Sequence, residues 1–147
     1  MDTIVVGIDA SDHAVRALRW AFDEAALRGA ELELVHAYVR PEAFSYPGIL
    51  LDDLPSDAEL EAAARQVVED TVAKVEPRHD VAFTVTVAAG GAAGVLCDRA
   101  ADAELLVVGA RGLGGFRGLL LGSVSQQVVV HSPCPVVIVP PERRQRH

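Results

Sequence analysis

Residues 105–139 read LLVVGARGLGGFRGLLLGSVSQQVVVHSPCPVVIV. Leu105–Gly109 is a short apolar run ending on glycine, the pattern of a strand buried on both faces. A glycine-rich segment follows, then a helix over Ser123–His131 that Pro133, Cys134 and Pro135 break. Val136–Val139 is a second apolar strand. A strand, a crossover with a helix and another strand make the unit from which parallel sheets are wound.

The rest of the chain repeats this alternation. Thr3–Ile8 (TIVVGI) is a buried strand, and a helix runs from Asp12 to Arg28 with Val15, Leu18, Phe22 and Ala25 at helical spacing. Gly29 stops that helix. Glu31–Val39 alternates as a second strand. Arg40–Pro55 is irregular, and Ser56 with Glu59 three residues on forms a capping-box pattern that starts a second helix. Its buried stripe is Leu60, Ala64, Val67, Thr71, Val72 and Val75, with Pro77 beyond its end. Val81–Val87 (VAFTVTV) is the third strand, and a short helix over Ala92–Ala101 leads into Leu105. Five strands alternating with four helices predict an α/β fold, a single doubly wound five-stranded parallel sheet. Ligands bind such sheets beyond the carboxyl ends of the strands, where the winding reverses. Two strand ends carry unusual chemistry, Gly7–Ser11 and Gly109–Ser123.

A chain of 147 residues suits one domain. With 50% hydrophobic residues and only 5% aromatic, the core falls to Ala, Val and Leu. The net charge of −8 argues against a general polyanion binder, so no nucleic-acid partner is expected. Cys97 and Cys134 are too few and too far apart for a disulfide framework or a close-spaced metal site, and read as reduced thiols. The opening MDTIVVGID lacks a signal-peptide pattern, and no apolar run reaches the roughly 18 residues of a membrane span. A cytoplasmic protein with no membrane partner is the expectation.

Six of the 12 glycines fall between Gly109 and Gly122. Glycine admits positive φ and lets a ligand approach the backbone without a Cβ in the way. A glycine-rich turn leading into a helix aims several N–H groups, and the positive end of the helix dipole, at one place. Ser123, expected at the N-cap, adds a hydroxyl. No acidic residue occurs from Leu105 through Pro141, whereas Arg111 and Arg117 lie inside the loop. The lysine-containing phosphate-loop pattern fails, because the one lysine is Lys74, and G-x-G-x-x-G fails at Arg117. A lid or packing loop without a ligand stays as the alternative reading of the pattern.

On these residues the chain resembles the universal stress protein family, in its nucleotide-binding branch. The family's ATP signature, G-x2-G-x9-G-[ST], is met by Gly109, Gly112, Gly122 and Ser123. The resemblance runs nearly end to end. Ile4–Ser11 (IVVGIDAS) looks like the opening strand and acidic turn, His36-Ala37 like the close of the second strand, and 122–139 is the most specific stretch. It implies a Rossmann-like, adenine nucleotide alpha hydrolase-like fold over residues 1–140, followed by a basic tail at 141–147. It implies ATP as ligand, with Mg²⁺ arriving on the triphosphate. Asp9 at the Gly7-Ile8-Asp9 strand end, and the backbone near Ala37, would meet adenine or ribose. Gly109, Gly112, Gly122, Ser123 and Val124 would surround the phosphates, with Arg111 among them. The family commonly dimerises through its last strand, here Val136, Val137, Ile138 and Val139. Two departures are Ala10, where glycine is usual, and Ala92, where proline is common.

Other features have plainer readings. Asp9 also suits a turn residue that starts a helix. His36 suits a hydrogen-bonded sheet-end residue. His13 and His131 lack Cys or His neighbours at metal-ligand spacing. Asp52, Asp53, Asp57, Glu59 and Glu61 fit a solvated helix start. Phe44, Tyr46, Ile49 and Leu50 fit either a cover for a ligand or partner or a loop folded back on the domain. Ser11, Ser123 and Ser125 have no His or Lys at a catalytic spacing, and a G-x-S-x-G elbow is absent. The chain is therefore expected to be a nucleotide-dependent stress sensor or regulator with at most slow ATP hydrolysis. Its rivals are an ATP-cleaving or adenylating enzyme of the wider superfamily and a nucleotide-free dimeric module.

Overall fold

The computed structural model describes residues 2–41, 48, 53–75, 80–112 and 120–142. Its strands are β1 (Thr3–Gly7), β2 (Glu31–Tyr38), β3 (Phe83–Ala89), β4 (Leu105–Gly109) and β5 (Val136–Val139). All pair in parallel, in the order β3-β2-β1-β4-β5. The helices are α1 (Asp12–Arg28), α2 (Asp57–Ala73), α3 (Ala92–Arg99) and α4 (Ser123–His131). The chain winds outward from β1 to β3, then returns to lay β4 on the other side of β1. The winding thus reverses between β1 and β4, which opens a crevice at their carboxyl ends.

Strand alternation divides the core into two layers. Ile4, Val6, Leu32, Leu34, Leu105 and Val107 face α1 and α2, where they meet Leu18, Ala21 and Val68. Val5, Val35, Leu106 and Val108 face α3 and α4, against Leu96, Ala100 and Val128. On β1 and β4 these side chains come from a continuous apolar run, as burial on both faces requires. In contrast, β2 alternates and buries Glu33 on the second face, paired with Arg99 and Thr86.

Local signals act as the residues dictate. Ser11 caps α1, its Oγ accepting from Ala14 N at 3.3 Å. Gly29 ends α1 at φ 67°, with its N–H donating to Ala25 O. Ser56 caps α2 by accepting from Glu59 N at 3.2 Å. Leu27 is an exposed residue of α1, and Leu27 and Leu120 are 83% and 90% accessible.

The expected element ends hold to within two residues, with one systematic shift. β3 covers Phe83–Ala89 in place of Val81–Val87, because its ladder follows β2 from Leu32↔Phe83 to Tyr38↔Ala89. The phase survives, and Val85 and Val87 still pack on the α1/α2 layer. Phe83 sits edge-on to Phe22, ring centroids 6.1 Å apart. In α2 the stripe is rotated slightly: Val68 is fully buried, whereas Val67 and Val72 are half-buried. Most of the irregular segment, Pro77, Arg117, the central loop glycines and residues 143–147 of the tail lie outside the described residues.

Candidate functional site

A cavity of about 460 Å³ occupies the crevice at the winding reversal. The structure brings all the residues proposed from the sequence to its wall: Gly7, Ile8 and Asp9 from the end of β1, Ala37 from β2, Gly109, Arg111 and Gly112 after β4, and Gly122, Ser123 and Val124 at the start of α4. The floor adds apolar side chains that no motif announced, chiefly Val35, Leu96 and Val108. An apolar floor with a few convergent polar groups is the usual make-up of a small-molecule site.

The β1 end is rigid. Ile8 N donates to Val35 O at 2.8 Å, and Ile8 O lies 2.7 Å from His36 Nδ1. His36 is thus the hydrogen-bonded sheet-end residue expected of it, with Nδ1 as the donor. Asp9 Oδ1 accepts from Ser11 N at 3.0 Å and from Ser11 Oγ. Its other carboxylate oxygen faces Gly112, where a Cβ would lie 2.5 Å from Oδ2.

The loop glycines divide by what they accommodate. Gly109 lies against the first turn of α1: a Cβ there would meet His13 Cβ at 2.8 Å and His13 O at 2.9 Å. Gly112 makes room for Asp9. Gly122 has ordinary space, its nearest neighbour being Arg111 Cα at 3.4 Å from the Cβ position. Gly109 is demanded by the protein's own packing against backbone, Gly112 leaves room for the end of the Asp9 side chain, and Gly122 is crowded by neither.

Ser123 was expected at the N-cap, and the structure corrects this. Gly122 is the N-cap, in extended conformation (φ −76°, ψ 175°), and Ser123 is the first helical residue. The cap falls on Gly122 because its N–H turns back to Ala110 O at 2.7 Å while its carbonyl accepts from Gln126 N. No side chain caps α4, and none caps α3, whose N-cap is Gly91. Ala92, at the start of α3, also lines the cavity. Both helices turn uncapped N-termini, which favour negative charge, toward the crevice.

One polar atom of a residue that lines the cavity is left over. Arg111 is half-buried, and its Nε is buried without a hydrogen-bond partner among the described residues. Leaving a donor of a charged group unpaired costs about 1–3 kcal/mol or more. Such a group asks for an acceptor. Arg111 and the uncapped start of α4 line the same cavity, a cation beside the positive end of a helix, so the residues present fit a phosphate.

Away from the crevice, burial pushes the Cys97 thiol above its usual range, helped by Asp98 and Cys134. Both cysteines are free. Arg99, held protonated by its hydrogen bond to Glu33, ties α3 to β2, and Thr86 Oγ1 donates to the same carboxylate at 3.0 Å. No group of three or more His, Cys, Asp or Glu among the described residues could hold a metal ion. No helix among them is long and apolar enough to cross a membrane.

The family model of the universal stress proteins matches residues 1–140. The chain belongs to the universal stress protein family. It is 38% identical over 136 residues to universal stress protein Rv2005c of Mycobacterium tuberculosis, covering 92% of this chain and 44% of that one. The chain therefore spans less than half the length of that mycobacterial relative. It is 37% identical over 139 residues to a universal stress protein of Thermus aquaticus encoded in the QAH/OAS sulfhydrylase 3' region, covering 93% of this chain and 97% of that one. A universal stress protein solved in complex with cAMP superposes with a TM-score of 0.62 at 31% identity, over 95% of this chain and 96% of the other.

Proposed function

We propose that this universal stress protein binds an adenine nucleotide, ATP with its Mg²⁺ carried on the triphosphate, and acts in the cytoplasm as a nucleotide-dependent regulator. The carrying observation is the convergence on one cavity of Arg111, of Gly109, Gly112 and Gly122, and of the uncapped start of α4. The apolar floor of Val35, Leu96 and Val108 suits a base, and the free oxygen of Asp9 suits a hydroxyl or amine donor. The cAMP complex of a relative supports a nucleotide as the ligand class.

A regulator accords with the serines better than a dedicated enzyme does. The hydroxyls of Ser11 and Ser125 are engaged, with Asp9 and with backbone carbonyls respectively. Any ATP hydrolysis is expected to be slow. Mass spectrometry of gently purified protein should find a stoichiometric adenine nucleotide. Recovery of none, with no binding at millimolar ATP, would favour a nucleotide-free module.

We also propose a homodimer through β5. This strand lies at the edge of the sheet, and an unpaired edge of Val136, Val137, Ile138 and Val139 calls for cover. Val129 and Val130 on α4 add exposed apolar surface, 52% and 74% accessible. Sedimentation equilibrium should return twice the 15.6 kDa of one chain. A 15.6 kDa species at tens of micromolar protein would contradict it.

A further inference from the structure

Ser125, on the first turn of α4, is 3% exposed, and the nucleotide signature does not include it. Its Oγ lies 2.8 Å from Ala110 O and 3.0 Å from Gly122 O. Ala110 O also accepts from Gly122 N at 2.7 Å, and Ala110 N donates to Val139 O at 2.9 Å. The residues that enter and leave the glycine loop, and the end of β5, therefore meet at one peptide group. A carbonyl has two lone pairs: Gly122 N–H takes one at Ala110 O, and the single hydrogen of the Ser125 hydroxyl is shared between the other, at 2.8 Å, and Gly122 O, at 3.0 Å.

The consequence reaches the cavity wall. Arg111 and Gly112 leave directly from Ala110, whereas Ser123 and Val124 follow Gly122. These two halves of the anion-facing wall meet at this closure at the base of the loop. Closing a loop costs chain entropy, so the contacts at its base decide how firmly its ends are held. We infer that Ser125 is a positioning residue: its buried hydroxyl locks the two stems of the glycine loop together and so sets the spacing between Arg111 and the first-turn amides of α4. Its effect on ligand rests on the reading of the cavity as a nucleotide site.

Threonine and valine have nearly the same shape at this position, but only threonine keeps the hydroxyl. The test measures amide hydrogen exchange at Gly122 in nucleotide-free protein, and ATP affinity by calorimetry, for Ser125→Thr and Ser125→Val. Loss of one hydrogen bond of ordinary net strength corresponds to about a three- to tenfold change. Ser125→Val should speed Gly122 exchange and weaken ATP binding by that factor, and Ser125→Thr should restore both. If the added methyl group unfolds either variant, Ser125→Ala against the wild type gives the same reading. Gly122 exchange unchanged in the hydroxyl-free variant would overturn the role of Ser125, whatever happened to ATP. Faster Gly122 exchange in that variant, beside a wild type that takes up no ATP, would support the positioning role and contradict the nucleotide reading alone.

Discussion

Gly109→Ala should destabilise the protein by about 2–3 kcal/mol, although it adds a single methyl group. The Cβ would lie 2.8 Å from His13 Cβ, 2.9 Å from His13 O and 3.0 Å from His13 C. Two of those atoms are backbone of α1, so no rotamer change relieves the clash. The first turn of α1 is held by its Ser11 cap and by the Asp9–Ser11 bonds. It retreats only by lifting Ala14, Ala17 and Leu18, all buried, from the sheet. For a chain of this size the loss lowers the thermal midpoint by roughly 5–10 °C. Thermal unfolding followed by circular dichroism checks this, and an unchanged midpoint would show that α1 and β4 are not in close contact. The result separates two reasons for a glycine. Gly109 belongs to the ligand signature, yet it is required before any ligand arrives.

That double duty marks the limit of what the sequence makes legible. The sheet is readable because β1 and β4 are continuous apolar runs and β2 and β3 alternate, and the caps because Ser11, Gly29 and Ser56 act through local geometry. β3 was displaced because VAFTVTV keeps one alternation wherever it starts, and only pairing with β2 fixes its ends. The positions of Gly109, Gly112 and Gly122 at one cavity followed from the signature, but its spacing carried no sign of which glycine serves packing. Serine favours the cap, which points to Ser123, and the tertiary bond from Gly122 to Ala110 overrides that preference. Val35, Leu96 and Val108 of the floor look like any other core residue in sequence. Ser125 carries no signal beyond being a small polar residue in a helix start of mixed character, SVSQQ.

Gly122→Val is the complementary substitution. Gly122 has an ordinary φ of −76°, and a Cβ would sit 3.4 Å from Arg111 Cα and 3.5 Å from Gly112 N, normal contact distances. Valine is a poor N-cap, so the folded state loses about 1 kcal/mol, a few degrees of thermal midpoint. Its γ-carbons, however, extend past a Cβ that already touches the Arg111–Gly112 backbone, and so crowd the wall against which the phosphates are proposed to lie. Charge-assisted hydrogen bonds from Arg111 contribute about 1.5–3 kcal/mol, so their loss corresponds to roughly a ten- to hundredfold weaker complex. The decisive measurement is calorimetric titration of ATP into nucleotide-free wild type and into Gly122→Val whose folding has been verified by its melting transition. Binding by the wild type, weakened at least tenfold in the folded variant, is the predicted result. Equal affinity in the two proteins would contradict the assignment of the glycine loop as the phosphate site.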